Sequence, residues 1–148
     1  MAIETILLAI GQEDEDRAKR LAETVIEIAE PTGARVVLSH VFTDREYDEV
    51  VDRLDFDPGE NPDPSDVATR HVTTRTVAQS LDAVDVDYVI RGSVGDRGET
   101  IVDLAKEVDA DRVVVGGRRR SPTGKAVFGS TAQEVMLSAP CPVTFVRD

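Results

Sequence analysis

Along this chain, continuous apolar runs take turns with segments in which apolar residues recur at helical spacing. Continuous runs without alternation predict strands that are buried on both faces of a parallel sheet. They occupy residues 5–10, 36–41, 86–90, 113–115 and 143–146. Helically spaced apolar residues predict amphipathic helices between these strands. Capping residues before those positions predict helix starts at Asp14, at Ser65 or Asp66, at Asp96 and at Ser130.

The alternation of strands and helices predicts an α/β protein with an open, parallel, five-stranded sheet and helices on both faces. The chain has 148 residues, which is the length of one ordinary domain, so we predict a single domain over residues 1–148. In such sheets, ligands bind beyond the carboxyl ends of the strands, where the direction of winding reverses.

Residues 42–66 depart from this pattern because they are acidic and rich in aspartate and proline. The apolar residues between Tyr47 and Leu54 are compatible with one short helix. The proline-rich residues that follow are not helical in pattern. We therefore predict a long, variable, acidic loop across 42–66, of the kind that forms a lid or a mobile insertion.

Composition narrows the classes of partner. The formal net charge is −12, which disfavours nonspecific nucleic-acid binding and binding to anionic membranes. No apolar segment approaches the roughly 18 residues of a membrane span, and no signal-peptide pattern is present, so we expect a cytoplasmic protein. The acidic, lysine-poor composition suits solubility in concentrated salt and favours a halophilic source. The single cysteine, Cys141, excludes an intrachain disulfide.

The stretch 111–131 carries the clearest functional pattern. A short apolar strand ends at Gly116, an arginine-rich and glycine-rich loop follows, and Gly129 precedes a predicted helix start. Glycines and the free N–H groups of a helix start are suited to hold a phosphate. Arg118, Arg119 and Arg120 either clamp that phosphate or lie in a solvated loop paired with surface acids. Ser130 either contacts the phosphate or caps its own helix, and the two roles are compatible.

Several motifs carry a family resemblance. Gly116, Gly129 and Ser130 match three places of the pattern Gly-x2-Gly-x9-Gly-Ser/Thr, and residues 95–101 match Gly-Asp-x-x-x-x-Ile. Residues 111–116 match Asp-x-Val-Val-x-Gly, and residues 140–143 read Pro-Cys-Pro-Val. In this order and at these spacings, they resemble the universal stress protein family. The resemblance implies the strand order 3-2-1-4-5 and a ligand crevice between strands 1 and 4.

The resemblance also implies a stress-response or regulatory homodimer, with an adenine nucleotide bound in a subset of members. ATP or AMP would be the cofactor, and Mg²⁺ would accompany only ATP. No catalytic residue and no resident metal site is expected. The implied nucleotide-binding residues are Ala9, Ile10, Gly11, Val41, Gly116, Arg118, Arg119, Gly129, Ser130 and Thr131. The implied dimer interface is Val143, Thr144, Phe145 and Val146 in the last strand.

Two positions depart from the nucleotide-binding pattern. Gly11 stands where such members usually carry an aspartate, and Arg119 stands where they carry a glycine. These changes leave an alternative open, a dimeric member that acts through protein–protein contacts without a nucleotide. A third hypothesis is a weak ATP hydrolase, for which Glu13 or Asp14 would be the only general bases near the crevice.

Overall fold

A parallel sheet of five strands in the order β3-β2-β1-β4-β5 organises the structure. The computed structural model describes residues 2–54, 62–117 and 129–147. The strands are β1 (Thr5–Ile10), β2 (Arg35–Phe42), β3 (Tyr88–Val94), β4 (Arg112–Gly117) and β5 (Val143–Arg147). The helices are α1 (Ala18–Thr32), α2 (Asp44–Arg53), α3 (Pro64–Arg70), α4 (Val72–Ala83), α5 (Arg97–Glu107) and α6 (Ser130–Ser138). The α/β fold and the order 3-2-1-4-5 are confirmed.

Strand β1 lies at the centre of the sheet, and all six of its residues are buried. It pairs with β2 on one side and β4 on the other, so that Leu7 is level with both Val37 and Val113. Leu8 packs in the core beneath α1 and α4, whereas Leu7 packs in the core beneath α5 and α6. Helices therefore cover both faces, which explains why the strand is apolar from Ile6 to Ile10 rather than alternating.

The chain between β1 and α1 differs from the prediction. Asp14 is not the N-cap of α1, because residues Gln12–Arg17 form a 3₁₀ helix for which Gly11 is the N-cap. Asp14 lies one turn further on, and its Oδ2 accepts the Gly11 N–H at 2.8 Å. Helix α1 then continues through Pro31 and ends where Gly33 adopts a left-handed φ of 70°, which favours glycine.

Two other helix starts test the capping predictions. The start at Asp96 is confirmed, because Asp96 Oδ1 accepts the Glu99 N–H at 3.0 Å. The prediction that Ser130 caps α6 is wrong. Gly129 is the N-cap residue, no side-chain capping bond is made, and Ser130 is already the first helical residue.

In the acidic region 42–66, the short helix that the sequence allowed between Tyr47 and Leu54 is present as part of α2, and a second helix, α3, begins before residue 66. Thr43 and Glu46 form a capping box that starts α2, and residues 55–61 lie outside the described part of the chain. The single helix predicted from Ser65 or Asp66 is two helices. Asp63 caps α3 through the Ser65 N–H at 2.8 Å, and the extended backbone of His71 separates α3 from α4.

Strand β3 begins two residues later than predicted and continues to Val94, because it pairs with β2 along its whole length up to Phe42. Gly92 in this strand is required by a close approach. A Cβ placed there would lie 2.0 Å from the backbone oxygen of Pro64 at the start of α3. Among the residues that the structure describes, no helix is long and apolar enough to cross a membrane.

Candidate functional site

A cleft of about 470 Å³ opens at the carboxyl ends of β1 and β4. The chain leaves β1 towards α1 on one face of the sheet, and β4 is followed by α6 on the other face. The cleft therefore lies where the winding reverses, which is the usual ligand position in this architecture. Among the described residues it is lined by Ala9, Ile10, Gly11, Glu13, Asp14, Arg17, Val41, Arg97, Ile101, Val115, Gly116, Gly117, Gly129, Ser130, Thr131 and Ala132.

Eight of the ten predicted binding residues line this one cleft. They are Ala9, Ile10, Gly11, Val41, Gly116, Gly129, Ser130 and Thr131. The other two, Arg118 and Arg119, lie outside the described residues. The fold therefore brings together residues more than a hundred positions apart in sequence, and nucleotide binding by them remains a prediction.

The start of α6 places unpaired backbone donors and a positive helix-dipole end at the cleft. The first N–H groups of a helix have no partner within the helix, and the helix dipole makes this end positive. Gly129 offers no side chain to satisfy them, and no described residue makes a side-chain capping bond there. A Cβ on Gly129 would have no atom of the described residues within 4 Å. The N–H groups at this helix start are therefore accessible to an anionic ligand.

Opposite α6, a buried ion pair forms the floor of the cleft. The Asp14 carboxylate pairs with the Arg17 guanidinium, and Arg17 also donates to the Glu13 carbonyl at 3.1 Å. Asp14 and Arg17 are both buried. Gly116 allows this packing, because a Cβ there would lie 2.8 Å from Arg17 Cδ and 3.0 Å from Asp14 Oδ1. The glycine that begins the predicted phosphate loop thus also accommodates the ion pair.

Sequence reasoning missed the roles of Asp14 and Arg17. Asp14 was predicted to cap a helix, and Arg17 was not singled out. The only signal in the sequence is their spacing, since an acid and an arginine three residues apart lie on one face of a helix. That spacing is common on exposed helix surfaces, so it does not by itself predict a buried pair.

A second missed group lies where α5 begins. Arg97 is the first residue of α5, and its guanidinium forms an ion pair with Glu46 of α2. Glu46 Oε1 also accepts the Thr43 N–H at 2.9 Å, so the carboxylate is fixed between the cap of α2 and the arginine. The two charged residues are 51 positions apart, which is why spacing in the sequence gave no sign of the pair.

Two histidines and a phenylalanine form a cluster at the end of β2, on the sheet face opposite Val41. The His40 ring stacks on Phe42 with 4.0 Å between centroids and meets the edge of His71 at 4.6 Å. Neither ring nitrogen of His40 has a hydrogen-bond partner in the described part of the chain. Burial, followed by the positive charges of His71 and Arg97, lowers the pKa of His40 to about 3. His40 is therefore neutral at physiological pH.

His71 is the N-cap of α4, because its Nδ1 accepts the Thr73 N–H at 3.3 Å. Burial lowers the pKa of His71, and Arg53 adds to this effect, whereas Glu15 and Glu46 oppose it. Within the described ranges, no group of three or more His, Cys, Asp or Glu side chains is arranged to hold a metal ion.

Comparisons with known proteins agree with this architecture. The model of the universal stress protein family matches residues 2–147. The chain belongs to the universal stress protein family. A universal stress protein from Thermus aquaticus is 32% identical over 143 residues, which are 97% of this chain and 98% of that protein. One from Mycolicibacterium smegmatis is 40% identical over 63 residues, which are 42% of this chain and 48% of that protein.

Solved universal stress proteins share the fold. A structure from Archaeoglobus fulgidus has a TM-score of 0.67 and 26% identity, and the match covers 99% of each chain. A universal stress protein in complex with cAMP has a TM-score of 0.66 and 20% identity over 99% of this chain and 98% of that one. A structure of a universal stress protein from A. fulgidus in complex with dAMP has a TM-score of 0.58 and 22% identity over 99% of each chain. At these identities, the last two show a common fold.

The predicted dimer residues, Val143, Thr144, Phe145 and Val146, lie in β5, which is an edge strand of the sheet. Val143, Thr144 and Phe145 are half-buried, and Val146 is buried. Phe145 packs so closely against the end of β4 that a Cβ on Gly117 would lie 2.7 Å from its ring. The strand is therefore well anchored on its inner side, and pairing of its outer side with a second copy remains a prediction.

Proposed function

We propose that this universal stress protein binds an adenine nucleotide, AMP or ATP, in the cleft between β1 and β4. The observation that carries the proposal is the start of α6, where backbone N–H groups without a side-chain cap open into the cleft. The cleft volume of about 470 Å³ lies within the usual range of ligand pockets. Two relatives of the same fold were solved with cAMP and dAMP, which supports an adenine nucleotide as the ligand.

Val41 and Ile101 offer apolar contacts at the β2 side of the cleft, suited to a base. Ser130 and Thr131 at the start of α6 are suited to the phosphate. Equilibrium binding of AMP and ATP to the purified protein tests the proposal, and concentrated salt is the appropriate medium if the acidic composition reflects a halophilic source. Saturable binding of either nucleotide supports it, and no binding of either refutes it.

The proposed role is regulatory, without rapid catalysis. Asp14 was one of two candidate general bases, but its carboxylate already accepts the Gly11 N–H and pairs with Arg17. A carboxylate engaged in this way is poorly placed to take a proton from water. Glu13 remains at the cleft. A weak hydrolase would require Glu13, so Glu13→Gln should leave any trace of ATP turnover unchanged if our proposal is right.

We further propose that the protein is a homodimer through β5. An unpaired edge strand exposes backbone N–H and C=O groups that a second copy can satisfy. Light scattering coupled to size-exclusion chromatography should give twice the chain mass. A monomeric mass at micromolar concentration would count against this assembly.

A second candidate function is a dimeric interaction protein that binds no nucleotide. Two observations favour it. Gly11 replaces the aspartate of the nucleotide-binding pattern, and the Gly11 N–H already donates a hydrogen bond to the Asp14 carboxylate. Mass spectrometry of the small molecules released from the purified protein distinguishes the two functions. Adenine nucleotide that copurifies in near-stoichiometric amount would argue strongly against this second candidate.

A further inference from the structure

Arg97 occupies a position that the stability of its own helix does not explain. It is the first residue of α5, and a positive charge at a helix N-terminus is unfavourable because the helix dipole is already positive there. Its Nε is buried and has no hydrogen-bond partner among the described residues, which is a further cost. Asp96 and Glu99 already cap and complement this helix start, so the arginine adds nothing to capping.

The ion pair with Glu46 fixes where Arg97 points. Glu46 is only 15% exposed and is fixed by the capping box of α2, whereas 26% of the Arg97 side chain remains exposed, and it lines the cleft. A guanidinium carries five N–H donors, so one carboxylate leaves donors for a ligand. Glu46 therefore holds the guanidinium at the cleft wall and leaves some of its N–H donors available.

Among the described residues that line the cleft, only Arg17 and Arg97 are cationic. Arg17 is buried and engaged with Asp14 and the Glu13 carbonyl. Glu13 and Asp14 add negative charge to the same cleft. In the described lining, Arg97 is therefore the exposed positive charge that an entering anion meets. Without Arg97, the charged side chains of this lining would repel a phosphate.

Helix α5, which begins at Arg97, packs against α6. A Cβ placed on the next residue, Gly98, would be 2.6 Å from Glu134 Oε1, so the first turn of α5 touches α6. Glu134 is one helical turn from Ser130, a rise of about 6 Å. The guanidinium and the N–H groups of α6 therefore approach the cleft from neighbouring helices.

We propose that Arg97 is a specificity-determining residue that binds the phosphate of the ligand together with the N–H groups of α6. Positioned by Glu46, it makes the cleft select nucleotides over nucleosides. A guanidinium suits this role because its N–H donors match phosphate oxygens. The inference rests on the proposed nucleotide-binding function and adds to it one side chain that recognises the phosphate.

The test compares AMP with adenosine, which lacks the phosphate, by equilibrium dialysis against the wild-type protein and Arg97→Gln. The substitution should weaken AMP binding by about ten-fold or more, the worth of one charge-assisted hydrogen bond. Adenosine binding should stay within about two-fold, because adenosine carries no phosphate for the guanidinium to bind. Arg97→Lys should retain more AMP affinity than Arg97→Gln.

Arg45→Gln is the matched control, because it removes the same charge from an exposed i,i+4 pair with Glu49 and should change neither affinity. Circular dichroism checks folding, and the double variant Glu46→Gln/Arg97→Gln removes both partners if the single variant unfolds. Equal weakening of AMP and adenosine by Arg97→Gln, or no change in either, would overturn the role of Arg97. Absence of binding by the wild-type protein would instead refute the proposed function itself.

Discussion

Replacing His40 by phenylalanine should make the stability of the protein less sensitive to acid. His40 is 1% exposed, and both ring nitrogens lack partners in the described part of the chain. Its stacking on Phe42 and its edge contact with His71 are contacts that a neutral aromatic ring can keep. Protonation would place a charge in this apolar site, close to the positive charge of Arg97.

The sign of the effect follows from the two pKa values. The pKa of His40 is about 3 in the folded protein and 6.5 in the unfolded chain, so the unfolded chain binds the proton more readily. The neutral ring therefore contributes its full stability above pH 6.5, and this contribution is lost as the pH falls towards 3. At about 1.4 kcal/mol per pKa unit, the full loss is about 5 kcal/mol, and about 3 kcal/mol is lost by about pH 4.

Urea unfolding at a series of pH values, followed by far-ultraviolet circular dichroism, measures this effect. The stability difference between the wild-type protein and His40→Phe should shift by about 3 kcal/mol in favour of the variant between about pH 6.5 and about pH 4. His71 and the carboxylates remain in both proteins, so their contributions largely cancel. Parallel stability curves for the two proteins would refute the assignment of a strongly lowered pKa to His40.

Two glycines give further predictions. Gly116→Ala should lower the free energy of unfolding, measured in urea, by about 1–3 kcal/mol and weaken AMP binding, because its Cβ would lie 2.8 Å from Arg17 Cδ. Gly129→Ala, whose Cβ has no described atom within 4 Å, should lower that free energy less. Equal losses of stability in the two variants would contradict the steric argument. Gly92→Ala should cost at least about 3 kcal/mol, because the Cβ would meet backbone 2.0 Å away in Pro64. Gly11→Ala, whose nearest contact is 3.9 Å, is its control, and a neutral Gly92→Ala would show that α3 can shift away from β3.

The sheet was predictable where strands are buried on both faces. The run at residues 5–10 is continuous and apolar, so it admits only one interpretation in an α/β pattern. Strand β3 was placed too early because its second half, which includes Arg91 and Gly92, is polar and only half-buried. Its extent is set by pairing with β2, which is a long-range contact that no local pattern encodes.

The cleft was predictable as far as it depends on the backbone. Gly116 and Gly129 mark a strand end and a helix start, and the strand order then brings them opposite Gly11. The side-chain pairs were not predictable. Arg97 meets Glu46 across 51 positions, and their pairing depends on how α2 and α5 pack. Arg118 and Arg119 lie outside the described residues, so their predicted role stays a prediction.

The central claim, an adenine nucleotide in the cleft between β1 and β4, is tested most directly by titrating AMP into isotopically labelled protein while following backbone amide resonances by NMR. This one measurement gives both the affinity and the location of the ligand. We predict saturable shifts concentrated at Gly11, Gly116, Gly129, Ser130 and Thr131. No saturable shift, or shifts confined to residues away from the cleft, would contradict it.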